Sequence, residues 1–270
     1  LGTVGQITAL SGDATDEATL RAAITPADIV INLVGILSPS GRHNFELMHA
    51  TLPAQIGQIA SETGVSRLIH FSALGADMRS SSVYSRTKAE GERALLRQFK
   101  TAVILRPSVV FGPGDSFFNR FGQMAMIAPA LPLIGGGTNK MQPVFVGDVA
   151  DAVMTILDPN FSGDQIFELG GPKVYTFKEL MELTLKAVAR KRLLLPVPFA
   201  VMSLPAFFAG FLPSPPVTLD QLTLLKTDNI CSAKASGFAE LGIDPRAAEI
   251  IVGEYLAPFR PGGRFAAQKS

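Results

Sequence analysis

Three short apolar runs, at residues 29–34, 68–71 and 102–105, are separated by longer stretches in which apolar residues recur at helical spacing. Strands that are apolar along their whole length need cover on both faces. The intervening helices supply it, so the alternation predicts a parallel sheet with helices on both sides. Between the first two runs, Phe45, Met48, Leu52, Ile56 and Ile59 fall at three- and four-residue steps and predict a helix. After the second run, Ser80, Ser81 and Ser82 offer caps for a helix carrying Tyr84 and Lys88. Gly91 lies on the same stripe, where it would let the helix backbone come close to the sheet.

Downstream, residues 143–146 read as a short strand, and Asp148 as the N-cap of a helix running towards Leu157. Residues 165–169 read as a further strand. Helices near 177–189 and 219–227 then form a smaller lobe rich in helix. The reading divides the chain into a sheet domain, 1–113 with 138–172, and a smaller substrate or docking lobe, 114–137 with 173–270. At the start, residues 7–10 read as a strand followed by Asp13. Gly2 and Gly5 do not form a glycine-rich nucleotide turn, because no apolar strand precedes them and no helix follows. The opening β-α-β unit of such a sheet, with its flanks, is therefore expected about 45–60 residues upstream.

A net charge of +1 over 270 residues, with no basic run longer than Arg190-Lys191-Arg192, argues against a nucleic-acid partner. Cys231 is the single cysteine, so no internal disulfide forms and a reducing compartment is expected. No secretory signal is visible, and the chain is read as not secreted. Residues 193–219 are uncharged, but prolines at 196, 198, 205, 213, 215 and 216 make a continuous spanning helix improbable. The segment reads either as lobe core or as a peripheral docking surface for a partner or membrane interface, aided by the three preceding cations. His43, His49 and His70 show no metal or triad spacing, so no metal and no chemistry is assigned to them.

Tyr84 and Lys88 stand four apart, on one face of a helix. An ammonium beside a phenol favours the phenolate, so the tyrosine can exchange protons with a carbonyl or hydroxyl while the lysine grips a ribose. The spacing alone is common. It gains weight from three further motifs in order: Asn32-Leu33-Val34-Gly35 at a strand end, 105–113 (LRPSVVFGP) and 143–151 (PVFVGDVAD). With these four the chain resembles the extended and atypical short-chain dehydrogenase/reductase superfamily. Through 70–77 (HFSALGAD), 80–88 (SSSVYSRTK) and 115–121 (DSFFNRF) it most resembles the nucleotide-binding accessory subunits of respiratory complex I (NADH:ubiquinone oxidoreductase) and their bacterial relatives.

The resemblance implies a Rossmann-like α/β doubly wound parallel sheet and bound NADPH or NADH, with NADP slightly favoured. It places Asp13 near the adenine, Asn32, Leu33, Val34 and Gly35 along the adenine-ribose side, and Ser72, Tyr84 and Lys88 around the nicotinamide ribose. Pro107, Val109 and Val110 would pass beside the nicotinamide. Asp148 is read as structural. Implied partners are subunits of a respiratory complex near its membrane arm. The implied location is peripheral, on the cytoplasmic side of a bacterial inner membrane or the matrix side of the mitochondrial one.

Active members commonly carry a serine or threonine two residues past the position of Ser72, where this chain has Leu74, which can neither donate nor accept. The interval from there to the tyrosine helix is also short, and only Ser80, Ser81 or Ser82 could swing in as a substitute hydroxyl. The expected function is thus an accessory or assembly subunit whose cofactor is mainly structural. The alternative is an active NAD(P)-dependent oxidoreductase or epimerase on a sugar-nucleotide, steroid-like or quinone-pathway substrate. Its catalyst would be Tyr84, with Lys88 and with Ser72 or Ser82 as helper.

Overall fold

The computed structural model describes residues 7–203 and 218–263. In chain order the elements are α1 (Glu17–Ile24), β1 (Ile29–Asn32), a π-helical turn (Leu47–Thr51), α2 (Leu52–Thr63), β2 (Arg67–Phe71), α3 (Val83–Gln98), β3 (Val103–Pro107) and β4 (Val110–Phe111). They continue with α4 (Phe118–Ile127), β5 (Ala130–Ile134), β6 (Lys140–Met141), β7 (Val144–Phe145), α5 (Val146–Ile156), β8 (Ile166–Leu169), β9 (Tyr175–Thr176), α6 (Phe177–Ala187) and β10 (Leu193–Val197). The helices Leu219–Leu224 and Ala248–Tyr255 follow, and 3-10 turns lie at Gly135–Gly137 and Ala257–Phe259.

The main sheet is wholly parallel, in the order β1-β2-β3-β8. Its central strands alternate between two buried faces. Leu68 joins the cluster of Leu52, Ile56, Ile59 and Leu95 from α2 and α3, whereas Ile69, Val103 and Leu105 pack with Val149, Ala152 and Ile156 of α5. β2 and β3 are buried on both faces, as the runs at 68–71 and 102–105 required, whereas β1, at the sheet edge, leaves Ile29 41% and Ile31 39% exposed. A third core belongs to the lobe. There Phe118 and Ala125 of α4, Leu131 and Leu133 of β5, Leu180 and Met181 of α6, and Val252 pack together. The register of β3 on β8, Leu105 opposite Phe167 and Pro107 opposite Leu169, brings the chain out of the sheet at Ser108. Two residues later β4 pairs with β7 at the lobe boundary.

Several expectations change. Residues 7–10 form no strand, and Ile7 and Leu10 are 70% and 75% exposed. A strand needs a neighbour's backbone to bond, and among the described residues β1 pairs with β2 alone and forms the sheet edge. The helix read around 45–59 is interrupted by the π-helical turn. Pro53 is the reason: without an N–H it cannot serve the carbonyl four residues back, that of His49, and the turn widens there. Gly91 faces this turn and not the sheet, for a Cβ at position 91 would lie 1.7 Å from the His49 carbonyl oxygen. Asp148 lies inside the first turn of α5, whose N-cap is Phe145. It is 1% exposed and carries an ion pair with Arg246, whose Nε lies 2.6 Å from it. The last predicted helix is short, ending at Leu224.

Gly91→Ala should lower stability by about 2–3 kcal/mol, because the obstacle is backbone and α2 and α3 must separate. Gly57→Ala, whose new methyl would meet the Leu95 carbonyl oxygen and the Gln98 Cβ at 3.2 Å, should be nearly neutral, its strain offset by a helix-propensity gain of about 1 kcal/mol. Urea denaturation of the two variants checks the contrast, and equal losses would contradict it.

Candidate functional site

Ser82 starts α3, its hydroxyl oxygen accepting the Ser85 N–H at 3.3 Å, so the serine cap expected from the sequence is this one. Six residues further on, Lys88 points back to the carboxyl end of β2 and donates to the Phe71 carbonyl at 3.2 Å. It is 5% exposed, and burial pulls its pKa down to about 8. Its Nζ lies 5.9 Å from the Tyr84 ring centre. Tyr84 is half-buried, and burial pushes its phenol up to about 12. That is opposite to the direction expected from a neighbouring ammonium. The cation is one ring-width away and its bond is spent on a carbonyl, so desolvation decides.

Two histidines to which the sequence reading gave no chemistry sit beneath this pair. His49, from the π-helical turn, meets the Tyr84 ring edge-on at 5.1 Å and stacks on Phe45 at 5.3 Å. Its Nε2 accepts the Ile36 N–H at 3.1 Å, which leaves the proton on Nδ1, 3.3 Å from the Thr87 hydroxyl. His70, on β2, takes a bond from the Asn32 side-chain amide at 3.0 Å through Nδ1. Its Nε2 is buried without a partner. Burial, with the Lys88 charge next in size, lowers both histidines to about 3, so they are neutral around pH 7. A signal for them existed: His49 lies four residues before a helix proline, and His70 lies two before Ser72 on the same strand face.

The structure draws Tyr84, Lys88 and Gly35 together, and Lys88 bonds the carbonyl of Phe71, next to Ser72 in the chain. A Cβ at Gly35 would stand 3.2 Å from the lysine Nζ, so the backbone there must approach closely. The Ser72 hydroxyl is buried and has no partner. Leu33 is 68% exposed, Gly35 is also exposed and Val34 is half-buried, beyond the carboxyl end of β1. Asn32 is turned inwards, between His70 and the Val34 N–H, which its Oδ1 accepts at 3.0 Å.

Asp13 is not drawn into this cluster. Its carboxylate takes the Thr15 hydroxyl and N–H at 2.7 and 2.9 Å and pairs with Arg42, and the Thr15 bonds above all hold its pKa below the usual carboxylate range. Pro107, Val109 and Val110 are half-buried at the strand exit. Val109 packs on the lobe core and Val110 on the sheet core.

The buried unpaired Ser72 hydroxyl, the Lys88 ammonium and the side-chain-free Gly35 fit a nicotinamide ribose, with its hydroxyls to be bonded and its bulk to be admitted. When bound, the dinucleotide supplies hydride chemistry. The residues for an acid-base relay are less complete. Leu74 is 7% exposed and contributes no hydroxyl. The Ser82 hydroxyl cannot stand in, because it donates to Asp220 at 2.8 Å. Asp220 and Asn229, on the lobe, are site neighbours that sequence reasoning missed.

The family model for the NAD dependent epimerase/dehydratase family matches residues 3–170. Among curated proteins, the chain is 34% identical to the mitochondrial NADH dehydrogenase [ubiquinone] 1 alpha subcomplex subunit 9 of Arabidopsis thaliana, over 97% of this chain and 68% of that protein. The Mus musculus protein of the same name is 33% identical, over 96% and 69%. Among solved structures, the Bordetella bronchiseptica enzyme WbmG, in complex with NAD and UDP, superposes with a TM-score of 0.71 at 15% identity. The match covers 94% of this chain and 80% of that one, and at such identity it speaks for the fold alone. On the family match and on relatives that follow nearly its whole length, the chain belongs to the NAD dependent epimerase/dehydratase family.

Proposed function

We propose that this chain is a dinucleotide-holding accessory or assembly subunit of a respiratory NADH:quinone oxidoreductase, in which the cofactor is mainly a structural part. Its continuous likeness to complex I subunits carries the reading. The site's chemistry supports it. Lys88 and Ser72 would grip the ribose, while the substrate-side hydroxyl is replaced by Leu74 and that of Ser82 is tied up on Asp220. A ligand that binds only the native state stabilises it by mass action, so a tightly held dinucleotide can act as a fold component. NADPH is preferred to NADH in this reading, and the sheet unit holds it while the lobe docks. The location is peripheral, on the matrix side of the mitochondrial inner membrane or the cytoplasmic side of a bacterial one, next to the membrane arm.

Among the described residues no helix is long and apolar enough to cross a membrane. The docking segment read at 193–219 lies partly outside the described residues. Of its described part, β10 exposes Leu193 at 68% and Leu195 at 50%, and Val201 beyond it is 59% exposed.

Mass spectrometry of the full-length protein, gently purified from its source, should find NADPH bound and subunits of the respiratory complex alongside. A free, nucleotide-empty protein that turns over a small substrate would overturn the reading. Tyr84→Phe should leave nucleotide content and assembly unchanged, whereas an active oxidoreductase or epimerase would lose turnover.

Lys88→Met should weaken nucleotide binding about 10- to 100-fold, the loss of one charge-assisted hydrogen bond. In the nucleotide-free protein the same variant removes a buried charge. The folded Lys88 loses its proton near pH 8 and the unfolded one near 10.5. Wild-type stability should therefore rise relative to the variant as pH climbs between those values, because the unfolded chain binds more protons there. Urea titrations from pH 7 to 10.5 measure this, and a pH-independent difference would contradict the assignment.

A further inference from the structure

Residues 218–229 leave the lobe and cross the carboxyl ends of three consecutive strands. Beyond β1, the Gln221 side-chain amide donates to the Leu37 carbonyl at 3.2 Å. Beyond β2, the Asn229 side-chain amide reaches the Leu74 carbonyl at 3.4 Å, and just after β3 the Ser108 hydroxyl donates to Asn229 Oδ1 at 2.6 Å. Between these points Asp220 meets the start of α3, accepting from the Ser82 hydroxyl at 2.8 Å, the Val83 N–H at 2.7 Å and the Tyr84 N–H at 3.1 Å. In open α/β sheets the crevice outside the strand ends is where ligands lie.

We propose that residues 218–229 form a strap that shuts the dinucleotide crevice, and that Asp220 is its latch and the positioning residue for the first turn of α3. The dinucleotide part rests on the function proposed above, but the latch stands on the hydrogen bonds alone. The two sides of the strap are held differently. On the lobe side Leu222 is 2% exposed and packs with Ile134, Phe199 and Met202, and Asn229 exchanges backbone bonds at 2.8 and 3.0 Å with Lys140 and Gln142, which flank Met141, a residue of the lobe core although the sequence division put 138–172 with the sheet. On the sheet side every contact named is a hydrogen bond, which water can replace when the strap lifts.

A carboxylate against the first N–H groups of a 16-residue helix is favoured by the helix dipole and by its ionised acceptor. It also takes the donors an anionic or hydroxylated substrate would need. Asp220 thereby closes the substrate side of the crevice from within. It is a positioning residue with no part in chemistry.

The test uses the full-length protein, with NADPH as probe. Asp220→Ala should raise the NADPH dissociation rate, followed by cofactor fluorescence, by at least about tenfold, the worth of a charge-assisted bond. Hydrogen exchange at the Val83 and Tyr84 amides should accelerate in step. The isosteric Asp220→Asn keeps one acceptor oxygen, should fold if the alanine variant does not, and should fall between it and wild type in both measurements. Unchanged exchange at both amides in the asparagine variant would overturn the latch. Faster exchange with wild-type NADPH release would overturn the strap and leave a plain helix cap. A wild-type protein that holds no dinucleotide would defeat the cofactor reading and with it the strap, and amide exchange alone would then decide the latch.

Discussion

The His49 carbonyl, lodged where a side chain at position 91 would stand, sets how closely α2 and α3 lie, and the site is built on that spacing. With the helices in contact, His49 reaches the Tyr84 ring from below and Thr87 from the side. Lys88, one turn before Gly91, is brought over the end of β2. One missing methyl and one missing N–H, at Gly91 and Pro53, thus place four side chains whose own identities would not have assembled them.

Burial rather than charge pairing governs the electrostatics there. Lys88 and the two histidines are basic groups crowded under one another, and desolvation moves all three towards their neutral forms. One turn further along α3 the charges are paired instead. Half-buried Arg106 on β3 holds Glu92 of α3 through two bonds, 2.9 and 2.6 Å long, and lies 3.5 Å from Glu168 of β8. The same helix therefore carries a charge-satisfied end, which fixes it to the sheet, and a charge-starved end, which faces the crevice. A ligand with ribose hydroxyls meets the second.

Much of this was legible. Continuous apolar runs announced buried parallel strands because no other arrangement covers both faces, and the Tyr84/Lys88 spacing placed both residues on one helix face before any coordinates existed. Ser72 and the stretch Asn32 to Gly35 were named through the family resemblance, but the inward turn of Asn32 towards His70 was not foreseen. What escaped notice depends on partners distant in sequence. Asp148 read as a cap because Arg246, 98 residues away, could not be foreseen as its counter-ion. Asp13, named through the resemblance, is bonded to Thr15 and paired with Arg42, partners the sequence reading did not name. The direction of the Tyr84 shift also needed coordinates, since a charge acts by distance and burial by environment, and only the first is suggested by an i, i+4 spacing.

The contacts that finish the crevice span long stretches of chain: 121 residues from Ser108 to Asn229, 138 from Ser82 to Asp220 and 155 from Leu74 to Asn229. Closing such loops is entropically slow compared with zipping neighbouring strands and helices. During synthesis, the sheet strands up to β8 emerge well before residues 218–229 do. The ends of β1, β2 and β3 are therefore open to solvent for the interval in between.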